Sequence, residues 1–313
     1  LLRNVIEVLK ENKDLSIKEL RQKLYEKSRL EDTLKDFFLE RGMAPGAVIT
    51  YGTKNFQETL TIGNKQEVVM ENGILVPCKE EMMEDTIFDL ASTTKLFTSI
   101  SILNLVQAGE LNLNDEVIKY VPEFHYLKDL TILDLLTFEP LITPRKIDST
   151  EDMKEAESIL FEASRKDVEK GTAEYNDIAP MVLKYVIEKI TGMRYKDYIQ
   201  KEILDKLGMT NTFVDVPNEK IDLVANSNYD GRLFEKGNYL IRTKAIKGVS
   251  TDDKARILGQ PEGLLSGHAG LFSNSSDMTK LARCLIENKI LNLDIRDEMI
   301  KNRRGSLVID KNG

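Results

Sequence analysis

The sequence predicts an α+β fold, and three observations carry that reading. Short β-branched segments separated by turn residues gather in the first third of the 313-residue chain. The long middle turns to helical periodicity, and brief extended segments return near the end. Strands at both ends with helices between them describe a sheet completed by the two ends of the chain, with the helical part as an insertion.

Each element has its own signal. Leu2, Val5, Ile6 and Leu9 share one helix face. A second helix is expected from Ser16, where "SIKE" forms a capping box with Glu19. A third spans residues 30–41 and stops at "GMAPG", where Gly42, Pro45 and Gly46 punctuate the chain. "AVITYG", "FQETLTIGN" and "QEVVM" then read as an antiparallel meander.

Residues 93–108 are apolar nearly all round (Leu96, Phe97, Ile100, Ile102, Leu103, Leu105, Val106), which predicts a helix buried on most sides. Thr131 with Asp134 marks another helix start, and further helices are expected at 181–190, 195–207 and 276–287. Asp230-Gly231 predicts a tight hairpin, and "GLFSN" and "SLVID" predict short strands. The stretch 137–150 is polar and rich in turns, and neither internal repeats nor low-complexity tracts occur.

Composition narrows the function. A hydrophobic fraction of 41% supports a substantial core, and a net charge of -8 with pI near 5.2 argues against nucleic acid as a partner. Cys78 and Cys284, and the only histidines, His125 and His268, fall in no metal-ligand spacing. Free thiols are expected over a disulfide. No apolar run approaches the roughly 18 residues of a membrane span, and the first helix is charged and amphipathic rather than a signal peptide. The chain as it stands is therefore expected to be soluble, with compartment and oligomeric state left open.

"FDLASTTKLFTSISILNLVQAGE" places Ser92 one helical turn before Lys95 at the mouth of the apolar helix. Positions i and i+3 share a face, so hydroxyl and amine point into one space. A serine becomes a nucleophile when a neighbouring base takes its proton, and a lysine desolvated against apolar surface can be that base. The free N–H groups at a helix N-terminus favour an oxyanion beside it. The same spacing also suits a plain serine N-cap, with Lys95 reaching a carboxylate such as Asp89.

The larger stretch from Phe88 to Phe124 resembles the active-site segment of the serine β-lactamase and penicillin-recognising superfamily, in its class C β-lactamase/esterase branch. The S-x-x-K helix continues as Leu105, Gly109, Leu111, Leu113 and Asp115, then Val117, Tyr120, Pro122 and Phe124. "GTAEYNDIAPMVLKYVIEKITGMRYKDYIQKEILDKLGM" is similar to the branch's Y-x-N motif and its two following helices, with Tyr175 at the tyrosine position. "GHAGLFSNSSDMTKLARCL" resembles the branch's G-x-A-G-L-x-S strand and helix, where His268 is read as packing or hydrogen bonding at the wall of the site.

Three departures accompany the match. Asp177 stands where the motif has asparagine, exchanging an amide donor for an acceptor that can pair with Lys95 or bind a cationic or hydroxyl-bearing substrate. The K-T-G or H-T-G triad of the branch is absent, and the short step from a helix to "SLVIDKNG" points to a missing segment between about residues 299 and 306. "LLTFEPLITPRKID" replaces the branch's usual "LLTHTSGL" beside the cleft.

The resemblance covers about residues 30–313 and implies a β-lactamase/transpeptidase-like arrangement: a sheet domain (30–90 with 262–313), a helical domain (91–261) and a site between the two, while residues 1–29 are expected to form an N-terminal helical extension outside the resemblance. It implies a serine hydrolase working through an acyl-enzyme on a β-lactam, a D-alanyl peptide or a small ester, without a cofactor. Ser92 is the expected nucleophile, Lys95 and Tyr175 move the proton, and Asp177 and His268 border the substrate. The competing reading is a non-catalytic penicillin-binding-like ligand or sensor domain.

Overall fold

The computed structural model describes residues 16, 18, 30–53, 56–72, 74–169, 171–226, 231–233, 239–241, 247–259 and 263–303. Apart from Ser16 and Lys18, the helices expected before residue 30 lie outside them, as does the strand "SLVID". Two compact units divide the chain, residues 1–86 and 87–313.

In the first unit, α1 (Leu30–Lys35) runs directly into a π-helical turn (Asp36–Glu40), and the chain leaves through Gly42 at φ +65°. Strands β1 (Gly46–Thr53), β2 (Phe56–Glu71) and β3 (Ile74–Glu81) then form an antiparallel sheet in the order β1-β2-β3. The meander exists, but its strands differ from the expected ones. "FQETLTIGN" and "QEVVM" are halves of one 16-residue strand, and "ILVPCKEE" is the third. Gly63 reads as a turn in sequence; here it takes φ +70° inside β2, where a Cβ would lie 2.2 Å from the Pro45 carbonyl oxygen. Just beyond it the register with β3 slips between Asn64 and Gln66 and again between Gln66 and Val68. The strand bends through bulges instead of stopping. Pro77 obscured β3, yet β3 pairs only with β2 among the described residues, and an edge strand tolerates a missing N–H.

The second unit is largely helical. In chain order it contains β4 (Ile87–Asp89), α2 (Thr94–Gln107), α3 (Ile132–Leu136), β5 (Leu141–Ile142), α4 (Met153–Phe161), β6 (Ser164–Arg165), α5 (Ile178–Thr191) and α6 (Tyr195–Ile199). A π-helical turn (Gln200–Leu204) carries α6 into α7 (Asp205–Leu207). Then follow β7 (Gly231–Leu233), β8 (Tyr239–Ile241), α8 (Asp253–Leu258), β9 (Phe272–Asn274), α9 (Ser275–Ile286) and α10 (Leu293–Ile300). Asp230 lies outside the described residues, and Gly231 opens a strand paired with Ile241.

The core of this unit surrounds α2, whose Phe97, Ile100, Ile102, Leu103 and Leu105 are all buried. Apolar on every side, α2 packs against neighbours all round, as its sequence predicts. Tyr195 at the head of α6 reaches it through a 2.7 Å hydroxyl contact with Thr98, which also donates to the Gly267 carbonyl at 2.5 Å. Phe124, Phe161 and Tyr185 form an aromatic cluster at ring separations of 5.0 to 5.7 Å. Cys78 and Cys284 are free thiols.

The capping box at α3 forms as expected: Thr131 Oγ1 accepts from the Asp134 amide, and the Asp134 carboxylate accepts from the Thr131 amide at 2.9 Å. Thr131→Ala is expected to cost about 1 kcal/mol, measurable as a shift in the urea midpoint with unchanged slope. Helices α4 and α8 went unpredicted. Each is opened by an aspartate N-cap, Asp152 or Asp252, but α8 has only six residues, too few to show a helical period.

Candidate active site

The strand β4 delivers Ser92. It pairs with β9 (Ile87↔Asn274, Phe88↔Ser273, Asp89↔Phe272), and the Leu90 amide continues the ladder to the Leu271 carbonyl at 2.8 Å. Asp89 then clamps the turn: Oδ1 accepts from the Ala91 amide at 2.8 Å, and Oδ2 from the amide and hydroxyl of Thr251 at 2.8 and 2.9 Å. Within that clamp Ala91 adopts φ +43°, a left-handed conformation costing a non-glycine residue about 1–2 kcal/mol. Such strain persists only where the surroundings impose it. The next residue, Ser92, sits exposed in a 3-10 turn (Ala91–Thr93) leading into α2. Asp89 is thus a backbone clamp and not the partner of Lys95.

Lys95 points inward and is only 7% exposed. Its ammonium lies 2.8 Å from Ser92 Oγ, 3.3 Å from the His268 carbonyl oxygen and 2.8 Å from Asp177 Oδ1, so each of its three protons has an acceptor. Tyr175 covers it with the face of its ring, the centroid 4.8 Å from Nζ. That ring packs on Phe138 at 5.2 Å, yet the residue is 59% exposed and its hydroxyl makes no hydrogen bond to a described residue. Tyr175 therefore meets Lys95 through its π-face, not its oxygen.

Asn176, between Tyr175 and Asp177, holds the backbone. Its amide donates to the Glu139 and Glu174 carbonyls at 3.1 and 2.9 Å, while its oxygen accepts from the Ala179 amide at the start of α5. Asp177 is left to face Lys95. Its second oxygen, Oδ2, lies 3.1 Å from the ammonium of Lys254, which in turn lies 3.5 Å from Asp252 Oδ2. Asp252 Oδ1 caps α8 through the Ala255 amide at 3.0 Å and meets His268 Nε2 at 2.9 Å. His268 Nδ1 lies 3.0 Å from Ser266 Oγ, whose own proton goes to the Ala269 carbonyl. Both ring nitrogens thus face acceptors, and the side chain is wholly buried.

Electrostatics follow from this chain of charges. Burial opposes the ionisation of Asp252, but the hydrogen bond and charge of His268, then Lys254 and the Ala255 amide, hold its carboxyl well below the usual range. Asp177 likewise sits below its ordinary value, burial being outweighed by the charge of His268, the hydrogen bond from Lys95, and Lys254. Lys254 is raised despite burial by Asp252 and Asp177, with Asp148 adding to the effect.

Asp177, Asp252 and His268 bring ligand atoms within 4.8 Å of one another. The ammonium of Lys254 already bridges the two carboxylates, so this cluster carries a cation of its own.

Ser92, Lys95, Tyr175, Asp177 and His268 all belong to the second unit. Ser92, Lys95 and Asp177 meet directly; Tyr175 joins by its ring face, and His268 by its backbone carbonyl and through Asp252. Sequence reasoning missed Asp252 and Lys254. "TDDK" carries the aspartate of a helix N-cap, but nothing local shows that the lysine beside it turns toward a residue far back in the chain.

The fold and this arrangement define a class: an α+β chain of β-lactamase/transpeptidase-like architecture in which a strand-held turn presents a serine ahead of a buried lysine. The profile of the Beta-lactamase family matches residues 38–308, and the chain belongs to that family. A class C beta-lactamase from Rhodobacter sphaeroides superposes with a TM-score of 0.61 at 20% identity, covering 86% of this chain and 68% of that one. The Beta-Lactamase/D-Alanine Carboxypeptidase from Pseudomonas syringae gives 0.62 at 17%, with coverage of 86% and 68%. A putative D-alanyl-D-alanine carboxypeptidase of Salmonella newport (strain SL254) is 30% identical over 227 residues, 64% of this chain and 51% of that protein. The chain spans about half the length of the curated relatives it matches. No helix among the described residues is long and apolar enough to cross a membrane.

Proposed function

We propose that the protein is a serine hydrolase that works through an acyl-enzyme on a β-lactam, a D-alanyl peptide or a small ester. The observation that carries this reading is the 2.8 Å contact between the buried Lys95 amine and the exposed Ser92 hydroxyl. Ser92 Oγ attacks the carbonyl carbon, and its proton passes to Lys95 once that amine has released one of its own. The hydrogens of the Ser92 amide and the start of α2 favour the oxyanion that forms. Tyr175, its ring against Lys95 and the residue 59% exposed, gives its phenolic proton to the leaving group; water then attacks the acyl carbon, its proton goes to the Tyr175 oxygen, and Lys95 returns the serine proton to Ser92 Oγ as the acyl group leaves. In this scheme Asp177 and His268 do not bind substrate: the oxygens of Asp177 face two lysines, and the His268 ring is buried. They position Lys95.

The experiment is covalent capture. The purified protein is incubated with a fluorescent penicillin and, separately, with a fluorophosphonate, and the adduct is located by peptide mass. Modification of the peptide bearing Ser92 is the expected result. One observation favours the non-catalytic alternative: Lys95 is tied to Asp177 as an ion pair, the form in which an amine cannot accept a proton. Failure of both reagents to attach, together with no hydrolysis of nitrophenyl esters, establishes a ligand-binding or sensor domain instead.

A further inference from the structure

Lys254 has no place in the scheme above, yet its ammonium stands 3.1 Å from the same carboxylate that holds Lys95. The geometry points to Lys254 as a positioning residue of the reaction: by pairing with the far oxygen of Asp177, it weakens that carboxylate's hold on the Lys95 proton. This inference rests on the serine-hydrolase reading and extends it.

An amine that must act as a base is poorly served by a carboxylate 2.8 Å away, because an adjacent negative charge favours the ammonium. An asparagine in place of Asp177 would bring no such charge. Here the carboxylate is instead shared between two lysines, Oδ1 to Lys95 and Oδ2 to Lys254, so its field is divided.

The groups facing Lys95 come from every side of its pocket. They are Ser92 on the preceding turn, the face of Tyr175 and Asp177 ahead of α5, and the carbonyl of His268 before β9. Behind Asp177 stand Lys254 and Asp252 at the start of α8, the His268 ring against Asp252, and Asp148 acting on Lys254. Lys254 is fixed by its two carboxylates, and Asp252 by His268 and the Ala255 amide, so the second cation is held in place and cannot drift away. Each added positive charge in this chain makes release of the Lys95 proton easier; each one removed makes it harder.

The test follows the rate of Ser92 modification by the fluorophosphonate against pH, for the native protein, Lys254→Met, Lys254→Gln and Lys254→Arg. With Lys254 neutralised, the rising limb of the profile is expected to move up by about one pH unit, a rate loss of about tenfold on that limb. Lys254→Arg, which keeps the charge, is expected to restore the native limb. A merely structural role for Lys254 would lower amplitude or melting temperature without moving the limb. An unshifted limb in both neutral variants overturns the inference while leaving the Ser92 reading intact. Absence of any Ser92 adduct in the native protein overturns the reading and the inference with it.

Discussion

Lys95→Met is expected to slow acylation of Ser92 by at least about 1,000-fold while leaving the melting temperature within a few degrees of the native value. The two halves of this expectation have separate causes. The amine is the basic group that contacts the Ser92 hydroxyl, at 2.8 Å, so its removal leaves the serine to lose its proton unaided. Methionine fills nearly the same volume along the apolar wall of α2, and Asp177 keeps Lys254 as a counter-ion, so no carboxylate is left buried and unpaired. Lys95→Arg is expected to rescue little, because a guanidinium keeps its charge throughout the working pH range and cannot serve as a base. Stopped-flow or gel-based labelling of the three proteins, alongside thermal melts, checks both halves. A Lys95→Met protein that labels at the native rate would remove the amine from the chemistry.

The second large effect is on stability. Asp252→Ala is expected to cost about 2–4 kcal/mol at pH 7, measured by urea unfolding. One carboxylate there caps α8 through the Ala255 amide, receives the buried His268 ring and pairs with Lys254. Losing it removes a helix cap and leaves an imidazole nitrogen, wholly enclosed, without its acceptor. The pH dependence has a definite sign. Asp252 is held below its ordinary value in the folded protein, so its contribution is complete above the unfolded carboxyl value of about 3.9 and is lost as pH falls below it. The stability gap between native protein and Asp252→Ala is therefore expected to stay constant from pH 7 to about 5 and to narrow under more acid conditions. A gap that instead widens toward acid pH would contradict the assigned pairing.

Much of the fold was legible because much of it is local. The all-round apolar sequence of α2, the Thr131–Asp134 capping box and the helical periods of α5, α6 and α9 each announce themselves within a few residues. The sheet of the first unit was legible in kind but not in register. At Gly63 the choice between a turn and a bulge depends on whether the strand finds a partner on its far side, and here it does, in β3. Helix α8 was too short to show a period, although its capping aspartate and its lysine turned out to border the site.

The candidate site divides in the same way. Sequence alone determined that Ser92 and Lys95 share a helix face, because three residues is close to one turn whatever surrounds the helix. Tertiary structure alone decided what Lys95 touches next: the Asp177 carboxylate at the head of α5, the Tyr175 ring, the His268 carbonyl, and behind them the Lys254–Asp252–His268 chain. Attraction between charges depends on distance in space and leaves no period along the chain, so partners brought together from separate elements became visible only once packing had placed them.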